Sequence, residues 1–338
     1  MIKGIMCEFP ERGVVKQGNQ IAWTEHYTRL IRLVDSHPQI SMDFTGLTDV
    51  MDYTFLNEYD FVYLYLHPVE GGHPNIIWWY DLPEIIKPYC KKLIVQFDYE
   101  GIMTELPPFL QNTLNTYADA LCYNSPATKN WNLTIPKYPF MIANPVEKIG
   151  TKVKELASQK PPVKSDTIGV LWHAGTGCNI TRSLQLCSSL PWNTKIFTSW
   201  IGMSTEFMQK HFGQPSNWSY YPFMEYNEYL KELLTCWVAL EDNENYYGFS
   251  RFAYECAALH IPVVGSTNNM ACNIAYPYTT TNPQNLQLQG QLIKRLFDDP
   301  DFYSKVVDYA YNKMMEYMSD EACLKRFVQI LEDLKVLT

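Results

Sequence analysis

The sequence predicts an α/β protein made of two halves, each built on its own parallel sheet. Three observations carry this. Short apolar runs alternate with amphipathic stretches of helical length along the chain, the pattern of parallel strands joined by helical crossovers. The alternation breaks once, between Gly150 and Asp166, where Lys, Pro and Ser dominate (Gln159-Lys-Pro-Pro-Val-Lys-Ser-Asp), and then resumes. At 338 residues the chain is long enough for two domains of ordinary size. The expected organisation is therefore an N-terminal domain over 1–150, a linker over 151–166, a second domain over 167–318 and a terminal helical segment over 319–338.

In the first half, Ile2–Phe9 reads as a strand. Ile21–Ser36 reads as a helix, with Trp23, Tyr27, Leu30, Ile31 and Val34 at helical spacing. Phe61–Leu66, Leu93–Phe97 and Ala120–Tyr123 are short strands of the fully buried type, and Phe109–Tyr117 is the helix before the last of them. Ser125 stands at a helix start with Pro126 in its first turn. In the second half, strands are read at Thr167–Trp172, Lys195–Thr198, Cys236–Leu240 and Pro262–Gly265. Helices are read at Arg182–Ser189, Ser204–Phe212, Tyr226–Thr235, Phe249–His260, Leu286–Phe297, Pro300–Met318 and Glu321–Lys335. Open α/β sheets bind ligands outside the carboxyl ends of their strands, so the site is expected in the cleft between the two halves.

Composition narrows the function classes. The formal net charge of -9 disfavours a strongly cationic nucleic-acid surface, although a local basic groove is compatible with it. Core and half-exposed packing accounts for most of the 24 tyrosines, 16 phenylalanines and 9 tryptophans; rings in sugar-binding clefts are the other use of such a composition. The nine cysteines are scattered, odd in number and without a Cys-x-x-Cys pair. That fits reduced thiols in the cytoplasm and argues against a zinc site. The N-terminal run is too short and too soon interrupted for a signal peptide. No stretch approaches the ~20 apolar residues of a membrane span, so any membrane contact is expected to be peripheral.

One segment carries most of the chemistry. In Tyr246-Tyr-Gly-Phe-Ser-Arg-Phe-Ala-Tyr-Glu-Cys-Ala-Ala-Leu-His-Ile-Pro-Val-Val-Gly-Ser, a Gly-Phe-Ser turn opens a short helix whose only acid is Glu255. A helix N-terminus followed by a carboxylate can hold a nucleotide, amides on phosphate and carboxylate on ribose. From Tyr247 to Glu255 is roughly 12 Å along a helix, of the order of a sugar-to-ribose distance. The competing reading is an ordinary amphipathic helix with a solvated glutamate. Asp299-Pro-Asp301 has the form of a metal-binding pair, but it precedes a helix, where aspartate caps amides. No P-loop, HExxH or Gly-x-Ser-x-Gly motif is present.

The 246–266 segment resembles the donor-sugar segment of the group-1 retaining glycosyltransferases. Their pattern is Glu, Gly or Pro, Phe, Gly or Ser, four residues, Glu, a run of small residues and Pro-Val-Val. Only the first Glu departs, replaced by Tyr247; Glu241 and Glu244, just upstream, are the acids able to take its place. The resemblance implies the GT-B fold, two Rossmann-like domains with parallel sheets facing a cleft, and a last helix that crosses back to the first domain. It implies that Glu255 holds the ribose. It also implies that the amides of Phe249 and Ser250, with the Ser250 hydroxyl, meet the diphosphate, and that Tyr247 lies near the donor sugar. Ile168-Gly-Val-Leu-Trp-His-Ala-Gly-Thr-Gly-Cys-Asn-Ile-Thr-Arg resembles the first strand and Gly-rich loop of the family's second domain. There Arg182 matches the basic residue that neutralises the leaving diphosphate, Gly175 and Gly177 permit close backbone approach, and His173 faces the donor; a surface arginine and a loop histidine are the plain alternatives. The first half matches more loosely. Gln17-Gly18-Asn19 supplies one glycine where the family has two facing the phosphates. Asp98 and Glu100 follow a strand where the family has a His-Asp pair, as acceptor contacts or as solvated loop acids. Tyr117-Ala-Asp-Ala-Leu-Cys-Tyr-Asn-Ser-Pro-Ala-Thr-Lys and Met141-Ile-Ala-Asn-Pro-Val-Glu match family fold markers.

The resemblance thus implies transfer of a sugar from a nucleotide-diphosphate sugar, retaining and metal-independent, with no cofactor beyond the donor. The implied acceptor is a carbohydrate, glycolipid or other glycan. A DNA-modifying glucosyltransferase or a sugar-nucleotide epimerase of the same fold, and a non-catalytic nucleotide-sugar-binding protein, are the other readings of the same residues.

Overall fold

The computed structural model describes residues 1–9, 29–47, 52–66, 76–97, 106–126, 128–140, 146–159, 165–172, 180–198, 203–241 and 249–337. The chain divides into two compact units, Met1–Asn144 with Asp320–Thr338, and Pro145–Ser319.

The first unit holds six strands in the order β2-β1-β3-β4-β5-β6: β1 Ile2–Phe9, β2 Ile40–Gly46, β3 Phe61–Leu66, β4 Leu93–Phe97, β5 Ala120–Tyr123 and β6 Lys137–Pro139. Every pairing is parallel. Its helices are α1, described over residues 29–35, α2 Ile76–Ile86, α3 Pro108–Tyr117 and, from the far end of the chain, α12 Asp320–Asp333. β3 shows why the central strands are apolar without interruption: the two-residue period of a strand sends alternate side chains to opposite faces, and helices cover both. Val62, Leu64 and Leu66 join Ile5, Cys7, Val95 and Leu121 beneath Leu82 of α2 and Leu110 and Leu114 of α3. Phe61, Tyr63 and Tyr65 face the other way, with Met6, Ile94 and Cys122, onto Leu30 and Val34 of α1 and Phe327, Ile330 and Leu331 of α12. The Phe327 ring lies 5.9 Å from Phe61 and 5.8 Å from both Tyr63 and Phe140. Buried Gln96 is satisfied inside this layer, accepting from the Tyr63 hydroxyl and donating to the Phe140 carbonyl.

The second unit holds β7 Ser165–Trp172, β8 Asn193–Thr198, β9 Trp218–Tyr221, β10 Cys236–Glu241, β11 Val263–Ser266 and β12 Thr280–Thr281, all parallel, in the order β12-β11-β10-β7-β8-β9. Its helices are α4 Val146–Gln159, α5 Thr181–Ser188, α6 Thr205–Phe212, α7 Tyr226–Leu234, α8 Arg251–Ala258, α9 Met270–Ala275, α10 Leu286–Asp298 and α11 Pro300–Met318. The chain runs outward from β7 to β8 and β9 on one side, and from β10 to β11 and β12 on the other. Right-handed crossovers therefore place α5 and α8 on opposite faces. Both helices start at the carboxyl edge, beside the point where the strand order reverses.

Two local expectations change. Residues 151–159 do not form a linker: they continue α4, which packs on α7, α8 and α11 of the second unit. Ile149 is buried there while Lys154 and Glu155 are exposed, so the polar composition is the outer face of a helix. After Ser125 the chain makes only a short 3-10 turn, Thr128–Asn130. Asp299 is the N-cap of α11, its Oδ1 accepting from the Phe302 amide at 2.9 Å. Among the described residues no helix is long and apolar enough to cross a membrane. The eight described cysteines are all buried free thiols; Cys178 lies outside the described residues.

Candidate functional site

Three of the residues singled out from the sequence, Phe249, Ser250 and Glu255, lie at the start of α8, at the carboxyl edge of the second sheet. Ser250 is the N-cap: its backbone is extended and its Oγ accepts from the Ala253 amide at 3.3 Å. The small residues that follow let α8 pack closely on β10, β11, α4, α9 and α11. After Leu259, His260 takes a left-handed φ of 52°, and the chain enters β11 through Ile261 and Pro262.

Glu255 sits one turn after Arg251 on the same face of α8, turned toward α7. It is 2% exposed. Its Oε1 accepts from the Tyr226 hydroxyl at 2.8 Å and from Arg251 Nε at 2.7 Å, and its Oε2 accepts from the Tyr229 hydroxyl at 3.0 Å. Tyr226 and Tyr229, three residues apart, share the face of α7 that meets α8. Burial, and then the charge of Glu255, push both phenols well above their ordinary range, so they remain donors. The Arg251 guanidinium lies 4.6 Å from the centroid of the Tyr226 ring and Lys152 Nζ of α4 lies 5.4 Å from it. A carboxylate this deep is tolerated because a cation and two hydroxyls answer it.

A second buried carboxylate lies at the same edge of the sheet. Glu241 ends β10, opposite Gly265 of β11, and is 4% exposed. Its Oε1 accepts from Asn269 Nδ2 at 2.9 Å. Asn269 Oδ1 in turn accepts from the amides of Ala271, Cys272 and Ser250, at 2.9, 3.3 and 3.3 Å. One asparagine thus caps α9 and ties the entry of α8 to the end of β10.

Of the residues singled out from the sequence, Ser250, Glu255 and Phe249 come together at α8. Phe249 is buried, its ring stacked 5.9 Å from Tyr317. The Ser250 amide, read as a phosphate donor, is already engaged by Asn269. Arg182 stands in the first turn of α5, partly buried, at the same edge of the sheet by way of β7, the neighbour of β10. Gly18, Asp98, Glu100, His173, Gly175, Gly177, Glu244 and Tyr247 lie outside the described residues. The sequence reading did not find Tyr226, Tyr229, Arg251 or Asn269. The signals present were a Tyr-x-x-Tyr on one helical face, a cation one turn before the glutamate, and an asparagine at a helix start.

No protein-family model matches the chain, and no curated protein matches it in sequence. Solved structures do match, over nearly the whole length. Anabaena HepE in complex with UDP superposes with a TM-score of 0.69 at 12% identity, covering 100% of each chain. Sucrose-phosphate synthase of Thermosynechococcus elongatus gives 0.68 at 12%, covering 99% of this chain and 100% of its own. An α,α-trehalose-phosphate synthase (UDP-forming) of Burkholderia vietnamiensis gives 0.63 at 9%, covering 98% and 100%. Two six-stranded parallel sheets, each sheathed in helices, with superposition on these proteins over nearly the whole length, give the chain the GT-B fold.

Proposed function

We propose that the chain is a glycosyltransferase that moves a sugar from a nucleoside-diphosphate sugar to the hydroxyl of a glycan, glycolipid or other carbohydrate acceptor. The observation that carries this is α8: a capped helix N-terminus and a fixed, buried carboxylate one turn on, at the carboxyl edge where the strand order of the second sheet reverses. Anabaena HepE has the same fold and has been solved with UDP and with UDP-glucose.

In this reading Glu255 receives the ribose. The first-turn amides of Arg251 and Phe252 have no acceptor within α8; they take the diphosphate that the Ser250 amide does not, with the Ser250 hydroxyl beside them. Arg182, a bidentate donor, answers the charge that builds on the leaving diphosphate. The acceptor hydroxyl attacks the face the diphosphate leaves, so configuration is retained. With arginine and helix dipole taking the leaving charge, the step needs neither metal nor cofactor. Gly18, His173, Gly175, Tyr247 and Asp98 complete the donor and acceptor contacts in this proposal.

Tyr247 favours one second reading. A phenol carries no negative charge near neutral pH, so a protein that binds a nucleotide sugar without turning it over is consistent with a tyrosine there. The test is a thermal-shift panel of UDP, ADP, GDP and their glucose conjugates, followed by donor hydrolysis and transfer on any hit. A diphosphate at 100 times its Kd is expected to add about 2.7 kcal/mol of stability, several degrees in melting temperature. If none shifts the melt, the transferase reading fails; a shift without turnover leaves the binding protein.

A further inference from the structure

The hydrogen bonds on Glu255 set a limit on what it can still accept. An ionised carboxylate has about four acceptor positions, two on each oxygen. Tyr226 and Arg251 occupy both on Oε1, and Tyr229 occupies one on Oε2. A vicinal diol bridging the two oxygens would need a free position on each. We propose that Tyr226 and Tyr229 are positioning residues: they lock the Glu255 carboxylate so that it offers one acceptor position, on Oε2, and takes a single ribose hydroxyl of the donor rather than both. This rests on the nucleotide-sugar reading above.

The two tyrosines divide the work. Tyr229 fixes the direction of Oε2; it is held in turn by Phe197, whose ring meets it edge-on at 5.6 Å. Tyr226 closes Oε1; its own ring lies against Arg251 at 4.6 Å and Lys152 at 5.4 Å, two cations that help to hold the phenol. Phenylalanine at either position keeps the ring packing and removes only the donor.

The experiment is titration calorimetry on the full chain. The tightest binder among UDP, ADP and GDP is compared with its own 2′-deoxy and 3′-deoxy forms. The wild type is expected to lose about tenfold or more in affinity for one deoxy form and less than about twofold for the other. Tyr226→Phe, by opening Oε1, is expected to make both deoxy forms costly. Tyr229→Phe, by releasing Oε2, is expected to bring the two within about twofold of each other. Equal losses for both deoxy forms in the wild type overturn the proposal. So does a pair of variants that change only the melting temperature and leave the preference between deoxy forms intact, because a purely structural role would do that. If no diphosphate binds at all, it is the donor reading itself that fails, and this inference goes with it.

Discussion

Arg182 and Gly4 show how differently two residues can be read from a chain. Arg182 follows a glycine-rich stretch of the sequence and stands in the first turn of α5, at the carboxyl edge of the sheet. If it answers the leaving charge, Arg182→Ala should lower kcat by about 100-fold or more with a smaller change in KM, and steady-state kinetics with a donor found by thermal shift would check it. A raised KM with kcat unchanged would make Arg182 a binding residue only. Gly4 reads merely as one position in an apolar strand. In the fold it pairs with Phe61, whose ring covers it: a methyl at Gly4 would stand 2.0 Å from the ring tip. Gly4→Ala should therefore cost about 1–3 kcal/mol in urea denaturation, and Phe61→Leu should be less harmful in that background than in the wild type. Glu255 was legible because its spacing from a turn is a one-dimensional fact. Its tyrosines were not, because a tyrosine at i and i+3 normally means packing, and only the approach of α7 to α8 makes it an anchor.

At the scale of elements, what the sequence revealed and what it hid divide along one line. The eight strands legible as apolar runs are the four interior strands of each sheet, β1, β3, β4 and β5, and β7, β8, β10 and β11. The four that were not, β2, β6, β9 and β12, are the four sheet edges. An edge strand buries less of itself and is short or interrupted: Lys137–Pro139 ends in proline and Thr280–Thr281 is two residues long. Interior strands must be apolar on both faces, and so they announce themselves. How β5 is held in register is a matter of Asp119, in the Tyr117-Ala-Asp119 marker. Its carboxylate accepts from the Leu93 amide at 2.7 Å, from Lys87, and from Lys92 at 3.4 Å. Burial alone would raise its pKa; the Lys87 and Leu93 hydrogen bonds and both lysine charges outweigh that and hold it below the usual carboxylate range. A depressed folded pKa means stabilisation that is complete above the unfolded value, about 3.9, and is lost as pH falls through the folded one. Asp119→Asn should thus cost about 1–3 kcal/mol at pH 7, with the gap to wild type closing below about pH 4. A gap unchanged with pH in urea unfolding would mean that the carboxylate's charge contributes nothing.

The molecule as a whole is not two consecutive halves, because the first unit is completed by the end of the chain. Residues 320–333 form the helix that covers one face of β1, β3, β4 and β5, so contacts such as Phe61 with Phe327 join the first unit's strands to the far end of the chain. The sequence shows a helix there; its apolar stripe needs a partner, but nothing in the stripe says which of two sheets it will meet. The face it covers is aromatic, Phe61, Tyr63 and Phe140 around Phe327, and all four rings are fully buried. Replacing Phe327 by alanine removes the ring on which the other three converge, a change that costs about 3–5 kcal/mol in a packed core. The second unit has its own core and contains no residue of α12. The loss should therefore be local. In hydrogen exchange, Phe327→Ala is expected to speed exchange at the amides of β3, β4 and β5 by two orders of magnitude or more, about 1.4 kcal/mol per tenfold, while the amides of β7 and β10 keep wild-type protection. Equal acceleration in both sheets would show that the two units unfold as one, and that the terminal helix stabilises the entire chain rather than the sheet it covers.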